Sequence, residues 1–296
     1  MCFNKEMSLM FSITSLGIAF WAMTGKGIWG SMERWRRHRI EACFAYFCFM
    51  ELLQFIQYLV IDQCDNIINT YSTALGYIHI CWQPLFTNLI MSALDRRNLD
   101  KSRDHTWAVI FKASFLIGIF MAARIIIPAI VSPETLQQYF EPCYREMDGL
   151  CAERSSWKTC STTGVYHIRW NFKMIRASYL FPNIGLHFIT MFIIPFAMGM
   201  HFESILLLIS GPVLAVFFPV DDGERSTIWC FFSVMEELIT FGSQILSIHY
   251  SKINVKSNHV KKHQASKKEV GSGNLLSIFD NLFKVFDDFK KNIFYY

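Results

Sequence analysis

Seven long apolar stretches are the feature of this sequence that most constrains its fold. They are residues 7–23, 40–61, 74–94, 107–131, 180–200, 205–220 and 228–248. A bilayer core about 30 Å thick needs about 20 apolar residues in one α-helix. Only 18% of the residues are charged, against about 25% in soluble domains. The sequence therefore predicts an all-α fold, an integral membrane bundle of seven helices over residues 1–250.

Two of the stretches carry further expectations. Residues 7–23 are interpreted as a retained first span and not as a cleaved signal peptide, because Lys5 and Glu6 precede it and no small-x-small site follows. The sixth stretch holds Gly211-Pro212, and this pair predicts a kinked or tilted helix there.

The orientation follows from the basic residues of the connections. The first connection holds Lys26, Arg34, Arg36, Arg37 and Arg39. The third connection holds Arg96, Arg97, Lys101 and Arg103. The C-terminal tail holds Lys252, Lys256, Lys261, Lys262, Lys267 and Lys268. The connection at 62–73 has no basic residue. Because lysine and arginine accumulate on the cytosolic side, we expect an extracytosolic N-terminus and a cytosolic C-terminus.

The connection at 132–179 is too long for a simple link, and loops of this length usually have structure or function of their own. Cys143, Cys151 and Cys160 lie in it, and Cys64 lies in the connection at 62–73. All four fall on the expected outer side, where disulfides form. We therefore predict an extracytosolic, cysteine-containing cap with at least one disulfide among these four; the sequence leaves the pairing open.

The C-terminal tail divides into two parts. Residues 251–273 are polar and basic, which is typical of a flexible linker. Residues 274–296 repeat apolar side chains every three or four positions between charged ones, which predicts a cytosolic amphipathic helix. Such a helix could lie on the inner leaflet, bind a cytosolic partner or pack on the protein itself. No nucleic-acid-binding motif is present, so the expected surroundings are the lipid bilayer and such a partner.

Polar side chains inside the spans are the candidates for function, since such groups are costly in lipid. They are Glu51, Gln54, Tyr58, His79, Gln83, Arg124, Asn183, His187 and Glu236. Counted at 1.5 Å per residue, most of them lie roughly 7–12 Å below the expected outer surface. We predict that they converge on one cavity in the outer half, where Arg124 pairs with Glu51 or Glu236. The alternative is ordinary hydrogen bonding between helices.

A metal site is a second interpretation of the same residues. Two histidines and a carboxylate, His79, His187 and Glu51, are ligand types that zinc accepts. Seven-span lipid hydrolases of the ceramidase and adiponectin-receptor type hold zinc in this way, but their histidine spacing is absent here. Zinc is therefore a weak hypothesis, and proton relay by the histidines is an equal alternative.

Several short strings resemble an uncharacterised family of seven-span proteins from algae, protists and giant DNA viruses. They are Met1-Cys2, Met50-Glu51-x-x-Gln54-x-x-x-Tyr58, Ile61-Asp62-Gln63-Cys64-Asp65-Asn66, Gly76-Tyr77-Ile78-His79, Gln83-Pro84, His167-Ile168-x-Trp170 and Ile228-Trp229-Cys230-Phe231-Phe232-Ser233. The resemblance covers residues 1–250 and leaves the tail outside. It implies the seven-span fold and no activity.

Three classes of function remain open at this point. The first is a protein that binds or transports a small polar or lipid-derived ligand in an outward-facing pocket. The second is an intramembrane metal-dependent lipid hydrolase. The third is a structural or assembly protein of the membrane. Bound metal would favour the second class, and an unchanged phenotype after removal of all the polar residues would favour the third.

The orientation makes a direct prediction. A cysteine placed at position 100, in the third connection, should resist an impermeant thiol reagent applied to intact cells, because its basic neighbours hold that connection in the cytosol. The same reagent should label it after the membrane is permeabilised. Labelling of position 100 in intact cells would refute the topology.

Overall fold

The computed structural model describes residues 4–95, 101–178, 180–232 and 242. Met1–Ile245 belong to one compact unit. The linker and amphipathic helix expected after residue 250 lie outside the described residues, as do Glu236 and most of the seventh apolar stretch.

Four long helices build the first half of the chain. They are α1 (Lys5–Thr24), α2 (Arg34–Leu59), α3 (Ile67–Leu94) and α4 (Lys101–Ile130), with a short 3-10 turn at Gly27–Ser31 between the first two. Among the described residues, three segments are long and apolar enough to cross a membrane, namely Lys5–Thr24, Arg34–Leu59 and Ser102–Ile130. Helix α3 is 28 residues long but more polar, because it carries many of the buried polar groups.

Helix α1 shows how the local sequence sets these bounds. The Asn4 side chain accepts a hydrogen bond from the Met7 amide at the start, and Gly25 ends the helix with a positive φ of 62°, a conformation that glycine adopts without strain. The buried face of α1 consists of small residues, Ser8, Ser12, Ser15, Ala19 and Ala22. Small side chains let two helices approach closely, and this face packs on α2.

The fifth and sixth apolar stretches each form a short helix with a π-helical turn inside it. One consists of α6 (Ile184–Phe188), a π-helical turn (Ile189–Ile193) and α7 (Ile194–Ala197). The other consists of α8 (His201–Leu208), a π-helical turn (Ile209–Val213) and α9 (Leu214–Val216). Pro212 lies inside the second π turn, and proline removes a backbone donor from the helical ladder. The irregularity predicted at Gly211-Pro212 is therefore present as a π turn. Residues 222–232 are helical again.

The long connection is a folded cap. It contains α5 (Pro133–Tyr139) and an antiparallel hairpin of β1 (Cys160–Thr163) and β2 (Ile168–Asn171). Trp170, Phe172 and Met174 are fully buried and share a hydrophobic cluster with side chains of α3 and α4, among them Tyr77 and Ile125. Apolar burial thus attaches the cap to the bundle.

Two disulfides brace the cap. Cys64–Cys160 ties the link between α2 and α3 to β1, and Cys143–Cys151 closes a short loop. Both pairs come from the four cysteines expected on the outer side. Cys43, Cys48, Cys81 and Cys230 take part in neither disulfide and are buried, as expected of cysteines within spans.

Removal of a disulfide should cost more stability the longer the loop that it closes, although the cost grows only with the logarithm of loop length. The loops span 96 and 8 residues, for which chain entropy gives about 5 and about 2 kcal/mol. Denaturant unfolding of purified protein should therefore show a larger loss for Cys64→Ala/Cys160→Ala than for Cys143→Ala/Cys151→Ala. Intact-mass analysis in which all four cysteines are alkylated without reductant would contradict both bonds.

Candidate functional site

A small cavity lies where the cap meets α3, α4 and the helical segment 222–232. Its volume is about 20 Å³, enough for about one water molecule. The lining residues are Tyr77, Ile80, Gln83, Met121, Arg124, Asp148, Leu150, Phe172, Ile184, Ser226, Trp229 and Cys230. Two of the residues predicted from the sequence, Gln83 and Arg124, therefore meet here, together with cap residues that form the roof.

The charged pair of this cavity is Arg124 with Asp148. Arg124 is 1% exposed; its Nη2 donates to Asp148 Oδ2 at 3.1 Å and its Nε to the Ile175 carbonyl at 3.1 Å. Glu51, one of the two predicted partners, does not pair with Arg124, because the counterion comes from the cap. Glu236, the other predicted partner, lies outside the described residues. A buried guanidinium needs a counterion and further acceptors, and the cap supplies both.

His79 lies in a different place from Gln83, although the two are one turn apart. Its Nε2 is 2.7 Å from the Tyr46 carbonyl, and its ring stacks on the Tyr46 ring with centroids 3.6 Å apart. The Tyr46 hydroxyl in turn donates to the His79 carbonyl. This reciprocal pairing joins α2 to α3, so His79 bonds helices together and does not line the cavity.

Tyr58 and its neighbour Gln57 bind the cap. The Tyr58 hydroxyl is 2.7 Å from His167 Nδ1, and Gln57 Oε1 accepts from Trp170 Nε1 at 2.8 Å. His167 is fully buried in the cap, and desolvation lowers the pKa of its imidazole from 6.5 to about 3. The imidazole is therefore neutral at physiological pH, and Tyr58 serves attachment of the cap.

Glu224 holds the hairpin turn from the helical segment 222–232. Its carboxylate accepts hydrogen bonds from the backbone amides of Val165, Tyr166 and His167. A Cβ added at Gly164 would lie 2.5 Å from the Glu224 side chain, so only glycine fits this close approach. Successive amides around one carboxylate form an anion nest. These hydrogen bonds attach the hairpin of the cap to the helical segment 222–232, which also carries the cavity residues Ser226, Trp229 and Cys230.

Three predicted residues are fully buried without a hydrogen-bond partner among the described residues. They are Glu51, Gln54 and His187. The His187 ring makes an edge contact with Trp229, with centroids 5.6 Å apart, so it lies behind the cavity wall. Asn183 is exposed and caps α6 by accepting from the Gly185 amide at 2.9 Å. Of the described residues in the predicted set, only Gln83 and Arg124 line the cavity, and the others lie elsewhere. Glu236 lies outside the described residues.

A zinc site at His79, His187 and Glu51 finds no geometric support and stays a prediction. In the part of the chain that the structure describes, one group of three potential ligands lies within 4.8 Å, namely Cys143, Asp148 and Cys151. Its two cysteines form a disulfide, and a disulfide sulfur is not the thiolate that binds zinc. No other described histidines and acids form such a group.

Three residues that line the cavity were not predicted from the sequence, namely Asp148, Ser226 and Trp229. Asp148 lies in a loop where acidic and basic residues alternate, and such residues are usually solvated. Its signal was the loop itself, because Cys143 and Cys151 flank it closely and a disulfide there fixes the position of the carboxylate. Ser226 precedes the seventh apolar stretch, and no sequence pattern marks it.

The ion pair makes a testable prediction. Asp148→Asn leaves the Arg124 guanidinium buried without a counterion, so the free energy of unfolding should fall by about 3 kcal/mol. The matched control Glu146→Gln, an exposed acid of the same loop, should change it little. A double-mutant cycle with Arg124→Met should show a combined loss smaller than the sum of the single losses. Additive losses would mean that the two side chains are not paired.

The comparisons with known proteins add a family. No curated protein and no solved structure matches the chain. The model of a family of unknown function, DUF5765, matches residues 18–254. This range contains α2 to α4, the cap and the cavity lining, but only the last part of α1. It overlaps most of residues 1–250, over which the sequence shows the resemblance. Because the match covers well over half of the chain, this protein belongs to the family of unknown function DUF5765.

Proposed function

We propose that the chain is a multi-pass membrane protein that binds a small polar ligand in the cavity under the cap. In this proposal the chain crosses the bilayer seven times, with the cap and the N-terminus on the extracytosolic side. The observation that carries the proposal is the Arg124–Asp148 ion pair. Together with Gln83, this pair lines a cavity whose other lining residues are mostly apolar.

The lining points to the class of ligand. Arg124 supplies one positive charge, Asp148 one negative charge, and Gln83 both a donor and an acceptor. A small dipolar or zwitterionic molecule matches this set, because each end finds an opposite partial charge. Ile80, Met121 and Phe172 line the same cavity and would contact an apolar part of the ligand. Pockets of this kind, mostly apolar with a few convergent polar groups, are typical of small-molecule sites.

The size of the cavity indicates a closed form. A volume of about 20 Å³ holds one water molecule, so a larger ligand enters only when the roof moves. Asp148, Leu150 and Phe172 belong to the cap, whereas Gln83 and Arg124 belong to the bundle. The cap is held to the bundle by discrete polar contacts, those of Glu224 and Tyr58 among them. Binding would thus be coupled to a small displacement of the cap.

A structural role is the second candidate, and one observation favours it. The reciprocal Tyr46–His79 pairing uses a predicted site residue to join two helices, as polar residues of membrane proteins often do. The lipid-hydrolase interpretation ranks below both, because it needs the zinc site for which the geometry offers no support.

Thiol chemistry tests the pocket. Cys230 lines the cavity, whereas Cys43 is buried in a different hydrophobic cluster between α2 and its neighbours. In protein with Cys48 and Cys81 replaced by alanine, a small charged methanethiosulfonate should modify Cys230 at least about tenfold faster than Cys43, since modification needs access to a thiolate.

The position of the labelled thiol decides the outcome. Single-cysteine variants that keep either Cys230 or Cys43, with both disulfides intact, provide the matched pair. Equal resistance of both, under conditions where denatured protein reacts fully, would contradict an accessible pocket and move the structural role to first place. Impermeant reagent that reaches Cys230 only from the cytosolic side would contradict the proposed orientation.

A further inference from the structure

We propose that Glu51, Gln54 and Ser8 form a binding site for a monovalent cation between α1 and α2. This site is distinct from the cavity under the cap, since none of the three residues lines that cavity. The inference does not rest on the proposed function, and either can fail without the other.

The first argument is the unsatisfied bonding of three neighbouring polar groups. Glu51 and Gln54 are 0% exposed and Ser8 is 1% exposed. Apart from the approach of the Ser8 hydroxyl to the Glu51 carboxylate, the carboxylate oxygens and both amide atoms of Gln54 have no hydrogen-bond partner among the described residues. Buried polar groups are otherwise nearly always bonded, and each exception calls for an explanation such as an ion or a water molecule.

The second argument is the register of the two helices. The Ser12 hydroxyl donates to the Cys48 carbonyl at 3.1 Å, which fixes α1 against α2 at this level. One turn from each of these residues, Ser8 faces the Glu51 carboxylate. Glu51 and Gln54 are three residues apart and thus neighbours on the surface of α2. Ser8 and Glu51 therefore lie at one level of the interface, and Gln54 lies about one turn further along α2, next to Glu51.

The third argument is the charge. No ion pair joins Glu51 to a basic side chain in the part of the chain that the structure describes. A lone carboxylate at this depth is costly unless a cation neutralises it. A single carboxylate matches one positive charge, whereas a divalent ion would leave an excess charge buried. The three side chains offer only oxygen ligands to the ion, and hard cations prefer oxygen.

Protonation of Glu51 is the competing explanation, and it leaves more polar atoms without a partner than a bound cation does. A proton would neutralise the carboxylate and let it donate one hydrogen bond, to Ser8 or to Gln54, but the oxygen of the other side chain would stay without a partner. A coordinated ion satisfies the oxygens of all three groups, with water completing its shell. Tyr58 and Cys230 lie within electrostatic range of Glu51, and neither side chain supplies a positive counterion. Glu236 and Glu237 lie outside the described residues.

Sodium is the probe for the test. Purified full-length protein should unfold at a higher temperature as NaCl replaces choline chloride at constant ionic strength, and the increase should saturate, because a ligand of the folded state stabilises it by mass action. Glu51→Gln should abolish the increase. Glu41→Gln, the same substitution elsewhere on α2, is the matched control and should retain it. Equilibrium binding of radioactive sodium should give the same ranking.

A milder variant covers the case in which Glu51→Gln does not fold. Ser8→Ala removes one ligand and should weaken the apparent affinity for sodium by about tenfold, the loss of about 1.4 kcal/mol. Unfolding temperatures that do not depend on sodium, in wild type and Ser8→Ala alike, would overturn the proposal. Stabilisation by acid instead of sodium, lost in Glu51→Gln, would assign a proton to the site and would overturn it as well.

Discussion

The cost of burying Arg124 determines how the cap is attached to the helices of this protein. A guanidinium inside an apolar bundle needs a counterion and acceptors for its remaining donors, and α4 offers neither. The cap meets both needs, with the Asp148 carboxylate and the Ile175 carbonyl. The same contacts seat the cap on α3 and α4 and define the cavity between them. Attachment of the cap and the chemistry of the cavity thus have one origin.

The other polar contacts of the cap follow the same logic. Gln57 accepts from the indole of Trp170, and Tyr58 meets the imidazole of His167. In each case a polar atom of α2 forms a hydrogen bond with a side chain of the cap. Buried networks of this kind specify one arrangement of the parts. The cap is therefore positioned by directional bonds, with the disulfides limiting its alternatives.

The sequence predicts the long helices well, because apolar runs and their ends depend on nearby residues. The starts of α1 to α4 differ from the apolar stretches by several residues, since polar first turns such as Arg34 to Arg39 extend α2 beyond its apolar part. The cap and its cysteines were also predicted. The grouping of polar residues was not, because shared depth does not tell which way a side chain points. His79 and Gln83 illustrate this: they lie one turn apart on α3, yet one bonds Tyr46 and the other lines the cavity.

The partner of Arg124 shows a second limit. Candidates were sought among the spans, where an acidic residue is rare and conspicuous, and Asp148 in the cap was passed over. Contacts between a loop and a helix depend on tertiary folding, which leaves no periodic pattern in the sequence. The prediction of seven spans meets the same limit. The helices after residue 183 are shorter than the apolar stretches that contain them.

The anion nest of the hairpin has a consequence for how the protein is made. The amides of Val165, Tyr166 and His167 bond a carboxylate that lies 57 to 59 residues later in the chain. Domains are completed in the order of synthesis, so the hairpin emerges from the ribosome well before Glu224 does. Until then its turn has three amides without their final acceptor. The hairpin turn therefore reaches its final hydrogen bonding only after the helical segment that begins at residue 222 has been synthesised.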